Sequence, residues 1–220
     1  MIRFIRSLIG GGKRNAEARH PGPRVLNVGG NDRRIPIPAH YAGWDHVLLD
    51  IDARTRPDIV CDARQLTSLP DAQFDAVYCS HNFEHYYPHD GREVLRGFLH
   101  VLRGDGFAEI RVPDLKSVMQ KVIDSNLDIE DSLYQSTAGP ITVRDVIYGF
   151  AKEIATSGQD YFAHKTGFTD RSLYGILKQA GFGDVFVSVA AEIFEVRAFA
   201  FKGSPTPNQR ALLELPDEPS

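Results

Sequence analysis

The chain has 220 residues, of which 42% are hydrophobic and 25% charged, and its formal net charge is −4. This length suits one sizeable α/β domain and is short for two, and the composition is typical of a soluble, globular protein. The negative net charge gives no overall reason to expect bulk nucleic acid as a partner.

Residues 1–23 are predicted to form a leader before the folded core. Residues 1–9 mix arginines with bulky apolar side chains and run into three glycines, residues 10–12. We expect this segment to pack as a helix on the domain or on a partner; weak contact with an anionic membrane surface is the alternative. It lacks the apolar core and cleavage site of a signal peptide, and no apolar stretch reaches the roughly 20 residues that span a bilayer.

Strand and helix patterns alternate through the first half of the chain. One amphipathic helix is predicted over Arg92–Leu102, with Gly104 as its stop. Alternation of this kind predicts a parallel sheet with right-handed crossovers. The predicted strands are Arg24–Gly29, His46–Asp50, Asp58–Cys61, Phe74–Ser80 and Gly106–Val112.

Cys61 and Cys79 fall at the ends of predicted buried strands. We expect them to be free thiols that pack as small hydrophobic groups rather than to form a disulfide. Free thiols fit a reducing, cytoplasmic setting.

The segment of residues 115–165 is predicted to be a helical insertion after the fifth strand. Helical stretches are expected near Lys116–Leu127 and Val143–Ala155, joined by a long connection, Asp128–Ile141. An insertion at this point would hang over the carboxyl edge of the sheet, where ligands bind in such folds. We interpret it as a lid over a substrate, and a purely structural insertion is the alternative.

The C-terminal part departs from the alternating pattern. A helix is predicted over Thr169–Ala180, capped by Thr169 and ended by Gly181. Two β-type runs follow, Asp184–Ala190 and Phe194–Phe201, and the short link between them can join only antiparallel neighbours. The main domain is therefore expected to span residues 24–203, followed by a flexible tail over residues 204–220, which are rich in proline and polar side chains.

A glycine turn and an acidic residue mark the first two strands. The first strand ends at Gly29 and Gly30, and the second ends at Asp50. Glycine lets a ligand approach the backbone at the carboxyl end of a strand, and a carboxylate on the next strand can accept hydrogen bonds from both hydroxyls of a ribose. This pairing predicts a cofactor that contains a nucleoside. Asp52 is close enough in sequence to be the ribose ligand instead.

The order and spacing of these and later motifs resemble the class I S-adenosylmethionine-dependent methyltransferases, in particular the small type 11-like group. The resemblance spans roughly residues 24–114 and extends to Gly167-Phe168 and Ala180-Gly181-Phe182. It implies a Rossmann-like, seven-stranded, mostly parallel sheet with helices on both faces and a C-terminal antiparallel β-hairpin. The motifs are Leu26-Asn27-Val28-Gly29-Gly30, Leu49-Asp50-Ile51-Asp52, Asp58-Ile59-Val60-Cys61-Asp62, residues 69–78, Ser80-His81-Asn82-Phe83-Glu84-His85 and Leu102-Arg103-Gly104-Asp105-Gly106.

The resemblance also implies S-adenosylmethionine as cofactor and a role for each matching position. The glycine-rich motif would lie against the methionine part and the ribose, Asp50 would bind the ribose, and Asp62 with the backbone of Ala63 would recognise adenine. The stretch after the fourth strand would border the methyl donor. The implied cofactor-binding residues are Asn27, Gly29, Gly30, Asp50, Asp62, Ala63, Cys79 and Ser80.

Other cofactors and chemistries fit the sequence less well. A nicotinamide site would need the later glycines of G-x-G-x-x-G, and the chain has Asn31-Asp32-Arg33-Arg34 there. His81, Glu84 and His85 satisfy the H-x-x-E-H pattern of a metal-dependent hydrolase, which requires a helical setting and a third ligand. The run follows directly on a strand, so no metal site is predicted. A cofactor-binding fold that acts only as a scaffold is a further alternative.

Methyl transfer is expected to proceed by direct displacement at the sulfonium carbon, with a base where the acceptor must lose a proton. Candidate bases are His81, His85, Tyr161 and His164, of which His81 and His164 are the predicted active-site residues. The acceptor is predicted to be a small molecule or glycan, because the insertion supplies enough aromatic surface to cover one. These aromatic residues are Tyr134, Tyr148, Phe150, Tyr161 and Phe162.

Overall fold

The computed structural model describes residues 22–136 and 139–217. The predicted leader, with the membrane-surface contact expected for residues 1–9, lies outside these ranges except for its last two residues. The described strands are β1 (Arg24–Val28), β2 (Asp45–Asp50), β3 (Ile59–Val60), β4 (Phe74–Ser80), β5 (Leu102–Pro113), β6 (Ser132–Ser136), β7 (Gly139–Thr142), β8 (Val185–Ala190) and β9 (Glu195–Phe201). The described helices are α1 (Pro88–Val101), α2 (Leu115–Asp124), α3 (Val143–Tyr148), α4 (Ala151–Ser157), α5 (Asp170–Ala180) and α6 (Pro207–Leu212).

Seven of these strands form one sheet in the order β3-β2-β1-β4-β5-β9-β8. The first five strands in this order are parallel to one another, and β9 pairs antiparallel with both β5 and β8. This confirms the predicted fold class. The order reverses between β1 and β4, and in open α/β sheets the crevice for a ligand lies at the carboxyl ends of the strands around such a switch point.

The two faces of the sheet are covered differently. On one face α1 and α5 bury a large core that includes Phe98 and Leu173. On the other face, Phe107 and Phe201 pack under Tyr41, which belongs to a 3-10 turn, and under Leu213. α5 matches its predicted range to within one residue, because its apolar positions recur with helical period and glycine follows it. α1 begins at Pro88, four residues before its predicted start, and it ends at Val101, so that Gly104, its predicted stop, lies in β5. Cys61 and Cys79 are free thiols, as expected.

The predicted flexible tail is ordered over much of its length, which corrects that expectation for residues 204–217. Thr206 caps α6 by accepting a hydrogen bond from the backbone N–H of Gln209 at 3.3 Å. Leu213, one residue beyond the helix, is buried against the sheet. Burial of this leucine fixes a segment whose composition alone suggested disorder.

The predicted insertion of residues 115–165 contains a β-hairpin as well as helices. β6 and β7 pair antiparallel in the segment that was expected to be an irregular connection. The single helix expected over Val143–Ala155 is divided into α3 and α4 at Gly149, whose φ is +90°. The insertion has its own small core of Val118, Leu133, Val143 and Val146. None of the helices in the described ranges is long and apolar enough to cross a membrane.

Candidate cofactor and acceptor site

A cavity of about 420 Å³ opens at the carboxyl ends of β1, β2 and β4. Five of the predicted site residues line it together, although they come from separate parts of the sequence. They are Gly29, Asp50, Asp62, Ala63 and His81. The crevice at the switch point of the sheet is therefore present, and it carries the glycine and both acidic side chains expected from the sequence.

Gly29 lets the chain turn tightly at the end of β1. Its φ is +76°, and its backbone N–H donates to the carbonyl of Leu49 at 2.8 Å. A Cβ atom at this position would lie 2.4 Å from Nδ2 of Asn82, which also lines the cavity. A side chain here would therefore be strained and would displace Asn82.

Replacing Gly29 with alanine is expected to destabilise the protein by about 1–3 kcal/mol through backbone strain and to weaken cofactor binding by displacing Asn82. Gly43→Ala is a matched control, because Gly43 has a similar φ of +81° but a Cβ there meets nothing within 4 Å. Calorimetric titration with S-adenosylmethionine and chemical denaturation should show both variants destabilised and only Gly29→Ala impaired in binding. Impaired cofactor binding in both variants would remove the argument that the ligand approaches the backbone closely at Gly29.

Asp50 and Asp52 both line the cavity, but their carboxylates differ in what they already bind. Asp52 accepts hydrogen bonds from the Arg54 side chain at 2.6–3.0 Å and from the Tyr161 hydroxyl at 3.2 Å. The Arg54 contacts hold the pKa of Asp52 well below its usual range. This carboxylate is thus already engaged by the protein.

Asp50 has no cationic partner among the described residues. Its Oδ1 accepts the backbone N–H of Asp52 at 2.7 Å, and burial raises the pKa of its carboxyl group. A half-buried carboxylate that faces a cavity with spare acceptor capacity suits the two hydroxyls of a ribose better than one already paired with arginine. The geometry thus favours Asp50 over Asp52 for that role.

Asp62 lies at the start of a 3-10 turn, Ala63–Ser68, and binds the side chain of Arg64. Burial alone would raise the pKa of Asp62, but the Arg64 guanidinium outweighs it and the pKa is lowered. Its carboxylate is therefore ionised and, like that of Asp52, already paired with an arginine at the cavity wall. Ala63 follows it in the same wall, and the role of these two residues in adenine binding stays a prediction.

Four predicted cofactor-binding residues do not line this cavity. Asn27 is 9% exposed and its amide contacts His46 Nε2 at 3.1 Å, and Cys79 is fully buried in the core. Ser80, at the end of β4, also lies outside the cavity lining. Gly30 has a packing role, because a Cβ there would lie 2.6 Å from Asn27 and 2.8 Å from Leu48.

The insertion closes the cavity from the other side with residues that the sequence analysis did not assign to the cofactor. Tyr161, Phe162 and Lys165 line it, and Tyr161 contacts Asp52 and Arg54 of the core. The backbone N–H of Lys165 also donates to the carbonyl of Glu84 at 2.8 Å. From the sequence, Tyr161 is a candidate base, and both Tyr161 and Phe162 belong to the aromatic surface predicted to cover the acceptor; no local pattern marks Lys165.

A second cavity, of about 330 Å³, adjoins the first. His81, His85 and Phe162 line both cavities, so the two meet at these side chains. The remaining lining comes mainly from the insertion and from the β8–β9 hairpin. It includes Glu84, Tyr134, Ile141, Phe150, His164, Ile193 and Phe194.

The two predicted active-site histidines differ in charge. The His81 side chain is 55% exposed, and the carboxylates of Glu195, 3.3 Å away, and Glu84 raise its pKa. Burial lowers the pKa of His164, whose Nδ1 lies 2.8 Å from the carbonyl of Val146. Because a carbonyl only accepts, Nδ1 of His164 carries hydrogen and Nε2 keeps its lone pair. His164 is therefore the better candidate for a base.

Comparison with known proteins agrees with the fold. Residues 33–110 match the model of a family described as a methyltransferase domain, of type 11. A SAM-dependent methyltransferase from Archaeoglobus fulgidus is similar, with 18% identity, a TM-score of 0.50 and coverage of 83% of this chain and 87% of that one. Another from Methanosarcina mazei has 12% identity, a TM-score of 0.50 and coverage of 84% and 95%. No curated protein matches the sequence.

At these identities the solved structures show the shared fold, that of the class I methyltransferases. The family match covers residues 33–110, and it supports the predicted resemblance to the type 11 methyltransferase domains. The resemblance predicted from the sequence is thus confirmed.

Proposed function

We propose that this protein transfers the methyl group of S-adenosylmethionine to a small organic acceptor by direct displacement. The observation that carries this proposal is the junction of two cavities at His81, His85 and Phe162. The first cavity offers a glycine turn and a free carboxylate to a nucleoside, and the second offers a separate space on the far side of the junction. A methyl group held at the junction would face both.

The size and lining of the second cavity support a small-molecule acceptor. Its volume of about 330 Å³ is at the lower end of the roughly 300–1,000 Å³ found for small-ligand pockets. Aromatic side chains such as Tyr134, Phe150 and Phe194 supply flat apolar surface, on which a ring or the apolar face of a sugar can pack. A glycan acceptor would enter through one terminal sugar. The cytoplasmic setting stays a prediction.

The protein itself has little covalent chemistry to perform in this reaction. The acceptor must be held with its nucleophilic atom about 3 Å from the methyl carbon, and the pocket must exclude competing water. The contacts of Tyr161 with Asp52 and Arg54 support the predicted role of the insertion as a lid, because they tie it to the core beside the cofactor cavity.

His164→Ala is expected to slow methyl transfer by about 10²–10⁴-fold, the usual contribution of a base, while the affinity for S-adenosylmethionine changes little. His164 lines the second cavity but not the first. Single-turnover rates and calorimetric titration of the same preparation separate the two effects. His89→Ala, at a side chain that is 77% exposed, is the control and should change neither quantity. Equal losses of rate and affinity would place His164 in cofactor binding instead.

The proposed function is tested first with the methyl donor alone and then with acceptors. Calorimetry should show one S-adenosylmethionine bound per chain, and S-adenosylhomocysteine should form when a panel of phenols, amines and sugars is supplied. Absence of donor binding by folded protein would overturn the proposal. Donor binding without turnover on any acceptor would instead favour the scaffold alternative.

A further inference from the structure

Glu84 is a buried carboxylate, and neither of its oxygens has a hydrogen-bond partner among the described residues. It belongs to a 3-10 turn, Phe83–His85, directly after β4, and only 2% of its surface is exposed. Burying an ionised carboxylate costs several kcal/mol unless a cation or hydrogen bonds compensate. The closest side-chain nitrogens are those of the His81 and His164 rings, at 3.7 and 3.9 Å from Oε1. These distances exceed those of hydrogen bonds, so the carboxylate has spare coordinating capacity.

Two histidines beside this carboxylate each use one ring nitrogen for a backbone contact. Nδ1 of His85 lies 3.1 Å from the carbonyl of Ala163, and Nδ1 of His164 lies 2.8 Å from that of Val146. Since each carbonyl accepts, both Nδ1 atoms donate, and Nε2 is the atom that each ring in its neutral form offers to a ligand. A backbone carbonyl on the second ring nitrogen is the arrangement that orients histidine ligands in metal sites.

The three side chains lie close enough to share one ion. One ligand atom each from Glu84, His85 and His164 can be chosen so that all lie within 4.8 Å of one another. Glu84 Oε1 and His164 Nε2 are 3.9 Å apart, wider than the roughly 3.5 Å between two tetrahedral ligands that each lie about 2.0–2.2 Å from one zinc ion, so small side-chain rotations would bring both onto it. Backbone hydrogen bonds from Lys165 and Thr166 to the carbonyl of Glu84 hold the two segments together.

We propose that Glu84, His85 and His164 form a binding site for one divalent transition-metal ion. Two imidazoles and one carboxylate suit zinc, iron or cobalt, whereas magnesium and calcium prefer all-oxygen ligand sets. Three protein ligands leave coordination positions open, and all three residues line the second cavity. The site differs from the hydrolase pattern considered from the sequence, because His81 lies outside this set of three and no helix presents the residues.

The open positions suggest how the ion would serve the proposed methyl transfer, and this role rests on that function. An acceptor hydroxyl bound to the ion would lose its proton to water at a lower pH than when free. Its oxygen would then form the new bond to the methyl carbon, while the carbon–sulfur bond breaks and leaves its electron pair on sulfur. His164 would in this case act through the ion rather than as a free base.

Metal binding can be measured without any acceptor. Full-length protein freed of metal by a chelator is titrated with Zn²⁺ in competition with a chromophoric chelator, and Co²⁺ binding is followed by visible absorption. We expect one equivalent of Zn²⁺ per chain and a higher unfolding temperature with Zn²⁺. Glu84→Gln and His85→Ala should each weaken the affinity by at least about 100-fold, since loss of even an outer partner costs about 10–100-fold. His89→Ala should bind like the wild type.

Three results would each contradict one claim: the metal site, the proposed function, or the role of the ion in methyl transfer. Equal Zn²⁺ affinity in the wild type, Glu84→Gln and His85→Ala, with all three folded by circular dichroism, would remove the site. Zn²⁺ binding without S-adenosylmethionine binding would leave the site and refute the proposed function. If both bind but the metal-free protein transfers methyl groups at the same rate as the Zn²⁺ form, the ion has no part in activating the acceptor.

Discussion

Replacing Asp50 with alanine is expected to lower the affinity for S-adenosylmethionine by about 100-fold or more. Hydrogen bonds to a charged group contribute about 1.5–3 kcal/mol each, and a ribose offers two hydroxyls to this carboxylate. The variant should fold normally, because Asp50 has no cationic partner in the described chain and burial already disfavours its charged form. Calorimetric titration gives the affinity, and thermal unfolding without ligand checks the fold.

Asp52→Asn is the discriminating comparison for Asp50. Asp52 lines the same cavity two residues away, but its carboxylate is held by Arg54 and Tyr161. Its replacement should loosen the contact with the lid and reduce cofactor affinity by less than about tenfold, the loss of one net hydrogen bond. A larger loss at Asp52 than at Asp50 would reverse the assignment of the ribose ligand.

The parallel core could be predicted because its signals are local. Buried strands such as β1 and β4 are apolar runs bounded by turns, and α1 has the period of an amphipathic helix. The β8–β9 hairpin could be predicted because two long β-type runs are joined by a link too short for a crossover. Each of these inferences needs only neighbouring residues and chain geometry.

The insertion was predicted less well because its structure depends on tertiary contacts. β6 carries Leu133 on its buried side and is otherwise partly or fully exposed, so its alternation is too weak to indicate a strand. The division of α3 from α4 at Gly149 depends on backbone packing, since a Cβ there would lie 2.3 Å from the carbonyl oxygen of Phe162. A helical pattern that spans a glycine does not reveal such a contact.

The site shows the same division between local and tertiary information. Gly29, Asp50 and Asp62 could be identified because each follows a strand that ends at the same edge of the sheet. His164 could be named from sequence only as a candidate base. Its approach to Glu84 and His85 requires the insertion to fold back over β4. Because about 80 residues separate His164 from Glu84, no sequence motif can indicate that approach.

Replacing Arg111 with leucine is expected to destabilise the protein by about 3–5 kcal/mol, because it removes a partner from a buried ion pair. Glu109 on β5 is fully buried, and it binds Arg111 Nε at 2.8 Å and His40 Nε2 at 2.8 Å. Without the guanidinium, the Glu109 carboxylate keeps only the imidazole. Urea denaturation measures the change in free energy. The melting temperature should fall by roughly 6–20 °C for a chain of this length.

Arg144→Leu is the matched control for Arg111, because it breaks an ion pair with Glu130 in which both side chains are exposed. Its cost in free energy of unfolding should stay below about 1 kcal/mol.

The effect of the Arg111 substitution should also depend on pH. Burial alone would raise the pKa of Glu109, but His40 and Arg111 outweigh it and lower the pKa from its ordinary value of 4.5. The stabilisation is then present above about pH 4.5 and is lost as the pH falls through the lower, folded-state pKa. The difference between wild type and Arg111→Leu should therefore shrink in acid, and a constant difference, or one as small as that of Arg144→Leu, would contradict the role of this pair.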